Sequence, residues 1–273
     1  MRSPRPWRRA LVTGASSGIG EAFVDDLAAA GVDLIIVGRN MAALQDVAIR
    51  NRARGVDVDI ICADLSEERG VAQVIDAIRN AEPMVDLLVN NAGIGRGGAF
   101  IDLSPLHIHE TMRVNNDALI RLTHASLPRM VEADHGCVIL LSSSAARGPV
   151  PNHAVYVASK AFVSNFGQSL SQELADTNVT CTTVLAGLTR TNYFERNAMV
   201  LDIAESRWAS AEQVAQQALI GARERRTLVY TGSSHRWLLQ ISNRFPLLAN
   251  SYVARQLKDL RIRLIERKSK HPC

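Results

Sequence analysis

Tyr156 and Lys160 are the two residues of this chain best spaced to do chemistry together. Four apart on a helix, they share one face and can reach a common ligand. A free phenol has a pKa of roughly 10, so it is a poor proton donor and a negligible base near neutrality. A fixed ammonium beside it favours the phenolate and lowers that pKa, each unit being worth ~1.4 kcal/mol. The pair suits acid/base work on a group whose proton must move near pH 7. A half-buried tyrosine beside a solvated lysine is the ordinary alternative, so the pair needs partners elsewhere in the chain.

Candidate partners occur in order. Thr13-Gly-Ala-Ser-Ser-Gly-Ile-Gly20 lies between an apolar strand-like run and an apolar helix. Glycines at 14, 18 and 20 allow a tight turn and let a pyrophosphate approach backbone N–H groups at a helix N-terminus. The spacing is GxxxGxG, not the GxGxxG of the standard dinucleotide fingerprint. The next strand ends Val37-Gly38-Arg39, where an NAD site would offer a carboxylate to the ribose. Arg39 offers instead a planar cation suited to a 2′-phosphate, which predicts NADP(H) over NAD(H). Asp64 could accept from an adenine amine or cap a short turn. Asn90-Asn91-Ala92-Gly93 follows the fourth strand-like run, and one of its amides is expected to tie neighbouring strands together. Ser142, Ser143 and Ser144 follow the fifth; a hydroxyl there could bond the oxygen that Tyr156 protonates, or could close a turn.

To position these groups the chain needs a regular scaffold. Ala10–Thr13, Asp33–Val37, Asp57–Cys62, Val85–Asn90, Gly136–Ser143, Val179–Leu185 and residues 227–231 read as strands, rich in Val, Ile and Leu with little polar alternation. Helical segments with usable caps separate them. Ser104-Pro105 has the form of an N-cap with proline at the first helical position. Ser210 and Gln213 have capping-box spacing, and Gly31 reads as a helix C′ residue. The alternation predicts an α/β fold: one Rossmann-like, doubly wound parallel sheet of about seven strands. Residues 1–9 form a basic tail, 10–232 the catalytic domain and 233–273 a basic, amphipathic helical extension.

Composition narrows the function classes. The 273 residues are 47% hydrophobic and 21% charged, ordinary for a globular protein. The pI of about 9.1 comes from the ends. The first nine residues carry +4 and Arg244 onward carries +6, against a total of +4, so residues 10–243 carry −6. An acidic body argues against a nucleic-acid footprint. Cys62, Cys137 and Cys181 sit in strand-like runs and read as reduced core thiols; with Cys273 they show no metal spacing. His107 and His109 face different sides of a helix and are poor joint ligands, so no metal is expected. No apolar run is long enough to span a membrane and Met1–Arg9 has no signal core, which predicts a cytoplasmic protein.

Together these motifs resemble those of the short-chain dehydrogenase/reductase family, over roughly residues 9–232. The resemblance rests on Thr13-Gly14-x-x-x-Gly18-x-Gly20, Asp64-Leu65, Asn90-Asn91-Ala92-Gly93, Asn115, Ser143, Tyr156-x-x-x-Lys160 and Gly187-x-x-x-Thr191. It implies that Tyr156 exchanges a proton with the substrate oxygen while Ser143 holds that oxygen. Lys160 would lower the tyrosine pKa and bind the nicotinamide ribose. Asn115, favoured over Asn116 by its distance from Ser143, would fix a water that relays protons to Lys160. The cofactor would lie against Gly14, Ser16, Ser17, Gly18, Ile19, Gly20, Arg39, Asp64, Leu65, Asn91, Ala92, Gly93, Tyr156, Lys160, Gly187, Thr189 and Thr191. The reaction implied is hydride transfer between nicotinamide and a carbonyl or secondary alcohol. A nucleotide-sensing or scaffold protein without turnover is the alternative. Family members commonly associate as homodimers or homotetramers through the helices after the fourth and fifth strands. One departure is Ala186-Gly187, where the family usually has Pro-Gly; the change restores an N–H and predicts a looser loop.

Within that span, residues 186–200 form an expected lid whose Tyr193, Phe194 and Met199 favour an apolar or lipid-like substrate. In the extension Val253, Leu257, Leu260 and Leu264 share a helix face among arginines and lysines. Three roles fit that pattern: packing on the domain or a partner subunit, a lid, or peripheral contact with an anionic membrane.

Overall fold

The computed structural model describes residues 6–191, 199–200, 208–232 and 263–264. Strands β1 (Arg9–Thr13), β2 (Asp33–Gly38), β3 (Val58–Cys62), β4 (Leu87–Asn90), β5 (Gly136–Ser143) and β6 (Val179–Ala186) match the runs read from sequence to within two residues. A short antiparallel pair joins β7 (Met199–Val200) to β9 (Arg263–Leu264), and β8 (Leu228–Tyr230) completes the main sheet. The helices are α1 (Gly18–Ala29), α2 (Met41–Arg52), α3 (Glu68–Asn80), α4 (Pro105–Met112), α5 (Leu119–Glu132), α6 (Ala154–Glu173) and α7 (Ala211–Arg223). The seven strands of the main sheet are all parallel, in the order β3-β2-β1-β4-β5-β6-β8.

Each central strand is apolar on both faces because helices cover both. Val12, Ile36, Val89 and Ile139 join one core with residues of α1, α2 and α7. Their neighbours Leu11, Ile35, Leu88 and Leu140 join the other, with residues of α3, α5 and α6. Alternate side chains leave a strand on opposite sides, so an uninterrupted Val/Ile/Leu run fills two layers at once. The caps are as read: Ser104 accepts from the His107 N–H, Ser210 and Gln213 close a capping box, and Gly31 follows α1 with φ +79°.

Three readings change. β3 is an edge strand and Cys62 at its end is exposed, not a core thiol; Cys137 and Cys181 are buried, and all three are free. Arg263 and Leu264 lie in a strand rather than on a helix face, their backbone paired with Val200 and Met199. Four-residue apolar spacing does not bar a segment from extending when a neighbouring backbone offers a ladder. The rest of the extension and residues 192–198 of the expected lid lie outside the described residues. The loop after β6 is also tied down, as described below.

Strand order reverses between β1 and β4: the chain leaving β1 leads to β2 on one side, and the chain leaving β4 leads to β5 on the other. In an open α/β sheet the carboxyl ends of strands at such a point leave a crevice. β1 delivers the glycine turn to it, β4 delivers Asn90–Gly93, and β5 with α6 delivers Ser143, Tyr156 and Lys160.

Candidate active site

The crevice is held open by side chains that lock the two strand ends together. Thr13 Oγ1 accepts from the N–H groups of Asn91 and Ala92, both at 3.0 Å. Asn91 Nδ2 returns bonds to the carbonyls of Thr13 (2.9 Å) and Gly14 (3.3 Å). Asn90 points the other way, donating to Thr123 Oγ1 at 2.9 Å and to the Leu119 carbonyl at 3.4 Å on α5. Both amides of the pair are structural ties, where the sequence reading expected one.

That lock explains the glycines. Gly14 has φ +67°, and a side-chain carbon there would lie 2.9 Å from Asn91 Nδ2. One at Gly20 would lie 2.1 Å from the Gly14 carbonyl oxygen. The turn therefore closes only with bare backbone at these positions. Ser17 is the α1 N-cap residue, yet its side chain makes no capping bond. The first N–H groups of α1, at Gly18, Ile19 and Gly20, thus form a helix N-terminus without a side-chain cap, an anion-binding arrangement. Thr191 closes one side, its Cγ2 lying 2.9 Å from where a Gly18 side-chain carbon would be.

Lys160 lies at the inner wall, 5% exposed, and its Nζ donates to the Leu141 carbonyl at 2.8 Å. Gly93 faces it: a side-chain carbon there would meet Nζ at 3.0 Å and Asn115 Oδ1 at 3.5 Å. Burial pushes the Lys160 ammonium down to about 8. Tyr156, half-buried, begins the same helical turn and Ser143, half-buried, ends β5. β5 and α6 are joined by Ser142 Oγ, which donates to the Lys160 carbonyl at 2.7 Å. Ser143 Oγ accepts from the Ala145 N–H at 3.1 Å, so it both caps the following turn and stands at the strand's end.

Asn115 occupies a π-helical turn, Arg113–Ala118, between α4 and α5. Such turns displace a helix's side chains from regular spacing and gather at functional sites. Here the turn brings the Asn115 amide across to the β4 loop. Oδ1 accepts from the Ile94 N–H (2.9 Å), and Nδ2 donates to the Ile94 carbonyl (2.8 Å) and to Ser159 Oγ (2.9 Å). Ser159 Oγ in turn donates to the Tyr156 carbonyl at 2.7 Å, while Asn116 Nδ2 donates to the Ser159 carbonyl at 3.0 Å. Asn115 and Asn116 are thus both built in, as a clamp linking the β4 loop, the π turn and α6. Sequence reading missed Ser159 and the Leu141 carbonyl, and it placed Thr13 in the glycine motif without its lock on Asn91 and Ala92. A serine in mid-helix and a main-chain oxygen carry no signal of their own.

At the outer end, Arg39 is exposed and its Nη1 lies 3.4 Å from Asp64 Oδ2. Asp64 Oδ1 accepts from Ser66 N–H (2.8 Å) and Ser66 Oγ (2.7 Å), which makes it the cap of a short turn. Burial raises this carboxyl, but the Ser66 bonds and Arg39 outweigh that and hold it below the usual range. Leu65 is buried in the core, so only its main chain is left to a ligand. Ser16 Oγ lies under Gly38, 3.3 Å from where a side-chain carbon would be. Thr189 Oγ1 donates to the Gly187 carbonyl at 2.9 Å. The loop after β6 is not the loose one expected from Ala186. Arg190 N–H donates to the Ala209 carbonyl and Ala209 N–H to the Leu188 carbonyl, both 2.9 Å, and Gly187 packs against the Thr231 carbonyl. Backbone bonding there supplies the restraint that proline would otherwise provide. Among the described residues no His, Cys, Asp or Glu cluster could hold a metal.

The family model for short chain dehydrogenases matches residues 8–199, which includes every element of this crevice except β8 and α7. The chain belongs to the short-chain dehydrogenase/reductase family. Sulfoacetaldehyde reductase 2 of Chromohalobacter salexigens is 36% identical over 187 residues, covering 67% of this chain and 73% of its own. A short-chain dehydrogenase from Sphingobium yanoikuyae, solved in complex with NADPH, superposes with a TM-score of 0.80 at 28% identity, covering 97% of this chain and all of that one. The bulky-bulky ketone specific alcohol dehydrogenase from Comamonas testosteroni superposes at 0.77 and 27% identity, covering 98% of each. Membership makes this chain an oxidoreductase of the type that interconverts CH–OH and C=O groups. The nicotinamide nucleotide used in such chemistry fits what is here. The helix N-terminus lacks a side-chain cap, and the crevice wall has no room for side-chain carbons at 14 and 20.

Proposed function

We propose that this protein is an NADP(H)-dependent oxidoreductase acting on a bulky, apolar carbonyl or the corresponding secondary alcohol. The observation that carries the proposal is the dry ammonium of Lys160, held by the Leu141 carbonyl on the face of α6 that also presents Tyr156, beside the end of β5. A buried cation has a large electrostatic influence on a neighbouring phenol, because little water screens it. Tyr156 then gives a proton to the substrate oxygen during reduction and takes it back during oxidation. Ser143 Oγ–H donates to that same oxygen; its acceptor side already faces the Ala145 N–H, so the hydroxyl proton is aimed elsewhere. Lys160 keeps the phenol near its working protonation state and holds the ribose of the cofactor. Asn115, whose side chain bonds Ile94 and Ser159, fixes the water that relays protons to Lys160. When bound, the nicotinamide supplies or accepts the hydride. Main-chain groups of Gly14–Gly20, Asp64–Leu65 and Asn91–Gly93, with Thr189 and Thr191, hold the nucleotide.

Preference for NADP(H) is supported by Arg39 at the end of β2, where no carboxylate of that strand competes for a ribose hydroxyl, and by the NADPH bound to the Sphingobium relative. A bulky substrate is supported by the near-complete superposition on the ketone-specific alcohol dehydrogenase. We further propose a homodimer or homotetramer, in which exposed Phe162 of α6 and Met112 of α4 are covered. A cytoplasmic location, with the basic extension touching an anionic membrane, completes the reading. Among the described residues no helix is long and apolar enough to cross a membrane.

A Tyr156→Phe variant assayed with NADPH and ketones of graded size tests the central claim. Turnover should fall by about 10²–10⁴-fold while NADPH still binds within about twofold. Unchanged turnover would remove Tyr156 from the mechanism; no turnover by the wild type with any carbonyl would favour the scaffold alternative. Co-sedimentation with anionic liposomes, comparing the full chain with residues 1–232, tests the membrane contact: equal, negligible binding excludes it.

A further inference from the structure

We infer that Asp64 sets how strongly this protein discriminates between the two nicotinamide nucleotides, by holding Arg39 in an ion pair that a 2′-phosphate must break. The inference rests on the reading of Arg39 as the 2′-phosphate ligand.

The two partners differ in freedom. Asp64 is fixed: Oδ1 takes two bonds from Ser66, leaving Oδ2 turned toward Arg39. The backbones beneath both residues are fixed as well, because Ala63 N–H donates to the Gly38 carbonyl at 2.9 Å and Cys62 Sγ contacts the Arg39 carbonyl at 3.5 Å. What moves is the Arg39 guanidinium, with its side chain 65% exposed against 32% for Asp64. Its distance from Oδ2, 3.4 Å, is long for a charge-assisted bond, so the pair is electrostatic contact rather than a bidentate fork. A phosphate carries more charge than a carboxylate and offers three acceptor oxygens. It can therefore draw the guanidinium away, but part of the binding free energy goes into separating the existing pair. A bound 2′-phosphate would also face the carboxylate itself across the same opening. Both effects weaken NADP(H) relative to NAD(H), and neither touches an NAD-type ribose. Any contact between residue 64 and the adenine is common to both nucleotides and cancels from their ratio.

Asp64→Asn retains an Oδ1 that accepts from Ser66, so the turn is kept while the charge is removed. The experiment is calorimetric titration of the cofactor-free protein with adenosine 2′,5′-bisphosphate and with 5′-AMP, which differ in the 2′-phosphate, so no turnover is involved. For Asp64→Asn the ratio of the two Kd values should shift by about twofold to fivefold in favour of the bisphosphate, the range set by an exposed ion pair. The shift should shrink at high salt. Arg39→Ala should erase the wild-type preference, and adding Asp64→Asn to it should shift the ratio by less than Asp64→Asn does alone, because only the direct repulsion is left to relieve. An unchanged ratio in Asp64→Asn, with Arg39→Ala still abolishing preference, overturns this inference and leaves the cofactor reading intact. An Arg39→Ala protein that keeps the wild-type ratio overturns both. An equal shift from Asp64→Asn in the Arg39→Ala background shows direct repulsion alone and overturns the role given to the ion pair.

Discussion

Replacing Lys160 with methionine should make the protein more stable while abolishing its chemistry. Burial moves the ammonium from 10.5 to about 8, a difference of roughly 2.5 units. At ~1.4 kcal/mol per unit, holding the charged form in the native state at neutral pH costs about 3 kcal/mol. Methionine fills a similar volume without charge. Its drawback is the Leu141 carbonyl, which loses the Nζ donor at 2.8 Å; an unsatisfied buried acceptor costs ~1 kcal/mol or somewhat more. The net gain at pH 7 is about 2 kcal/mol, or a rise in Tm of roughly 5 °C for a domain of this size. The sign has a signature in pH. Below about 8 both folded and unfolded chains carry the proton, and the full penalty applies. Between about 8 and 10.5 the folded chain has released it and the unfolded chain has not, so wild-type stability rises with pH. The advantage of the variant is therefore greatest below pH 8 and gone near pH 10.5. Urea unfolding of both proteins without cofactor, at pH 7 and pH 10, measures this directly. A variant less stable than wild type at pH 7, or a gain that does not shrink with pH, would refute the reasoning. The depressed lysine would then not be a strained functional group of the kind that active sites hold at the expense of stability.

Other perturbations have equally definite outcomes. Gly20→Ala puts a carbon 2.1 Å from the Gly14 carbonyl oxygen, so the turn must open; overpacking of this kind costs about 1–3 kcal/mol, and Kd for the nucleotide should rise at least tenfold. Ser159→Ala leaves one Asn115 hydrogen unpaired in a buried site and frees the Tyr156 carbonyl. Stability should fall by about 1–3 kcal/mol, and kcat should fall more than nucleotide affinity if the clamp positions Tyr156. Thermal unfolding and steady-state kinetics on one preparation check both, and an unaltered kcat would show that Ser159 serves folding alone.

Much of the site was legible in the chain because it depends on residue type at short range. Tyr156 and Lys160 share a helix face by periodicity, Gly14, Gly18 and Gly20 mark a turn that backbone sterics demand, and unbroken Val/Ile/Leu runs announce strands covered on both sides. Fold class and strand positions follow from such local rules. What they could not show is which polar groups meet across the sheet. Asn90 and Asn91 point to opposite neighbours, Asn115 and Asn116 both serve the clamp, and Cys62 at the end of edge strand β3 is exposed. Those outcomes depend on strand order and on the π turn, which bring together residues that lie up to 79 positions apart. The loop after β6 makes the same point: with alanine in place of proline it still ends up restrained, by backbone bonds to Ala209. Sequence determined the sheet, the glycine turn and the spacing of the reactive pair, through sterics and periodicity that act within a few residues. The tertiary structure alone decided the dryness of Lys160, the clamp around Asn115 and the pairing of Arg39 with Asp64, because burial and hydrogen bonding depend on neighbours that only folding supplies.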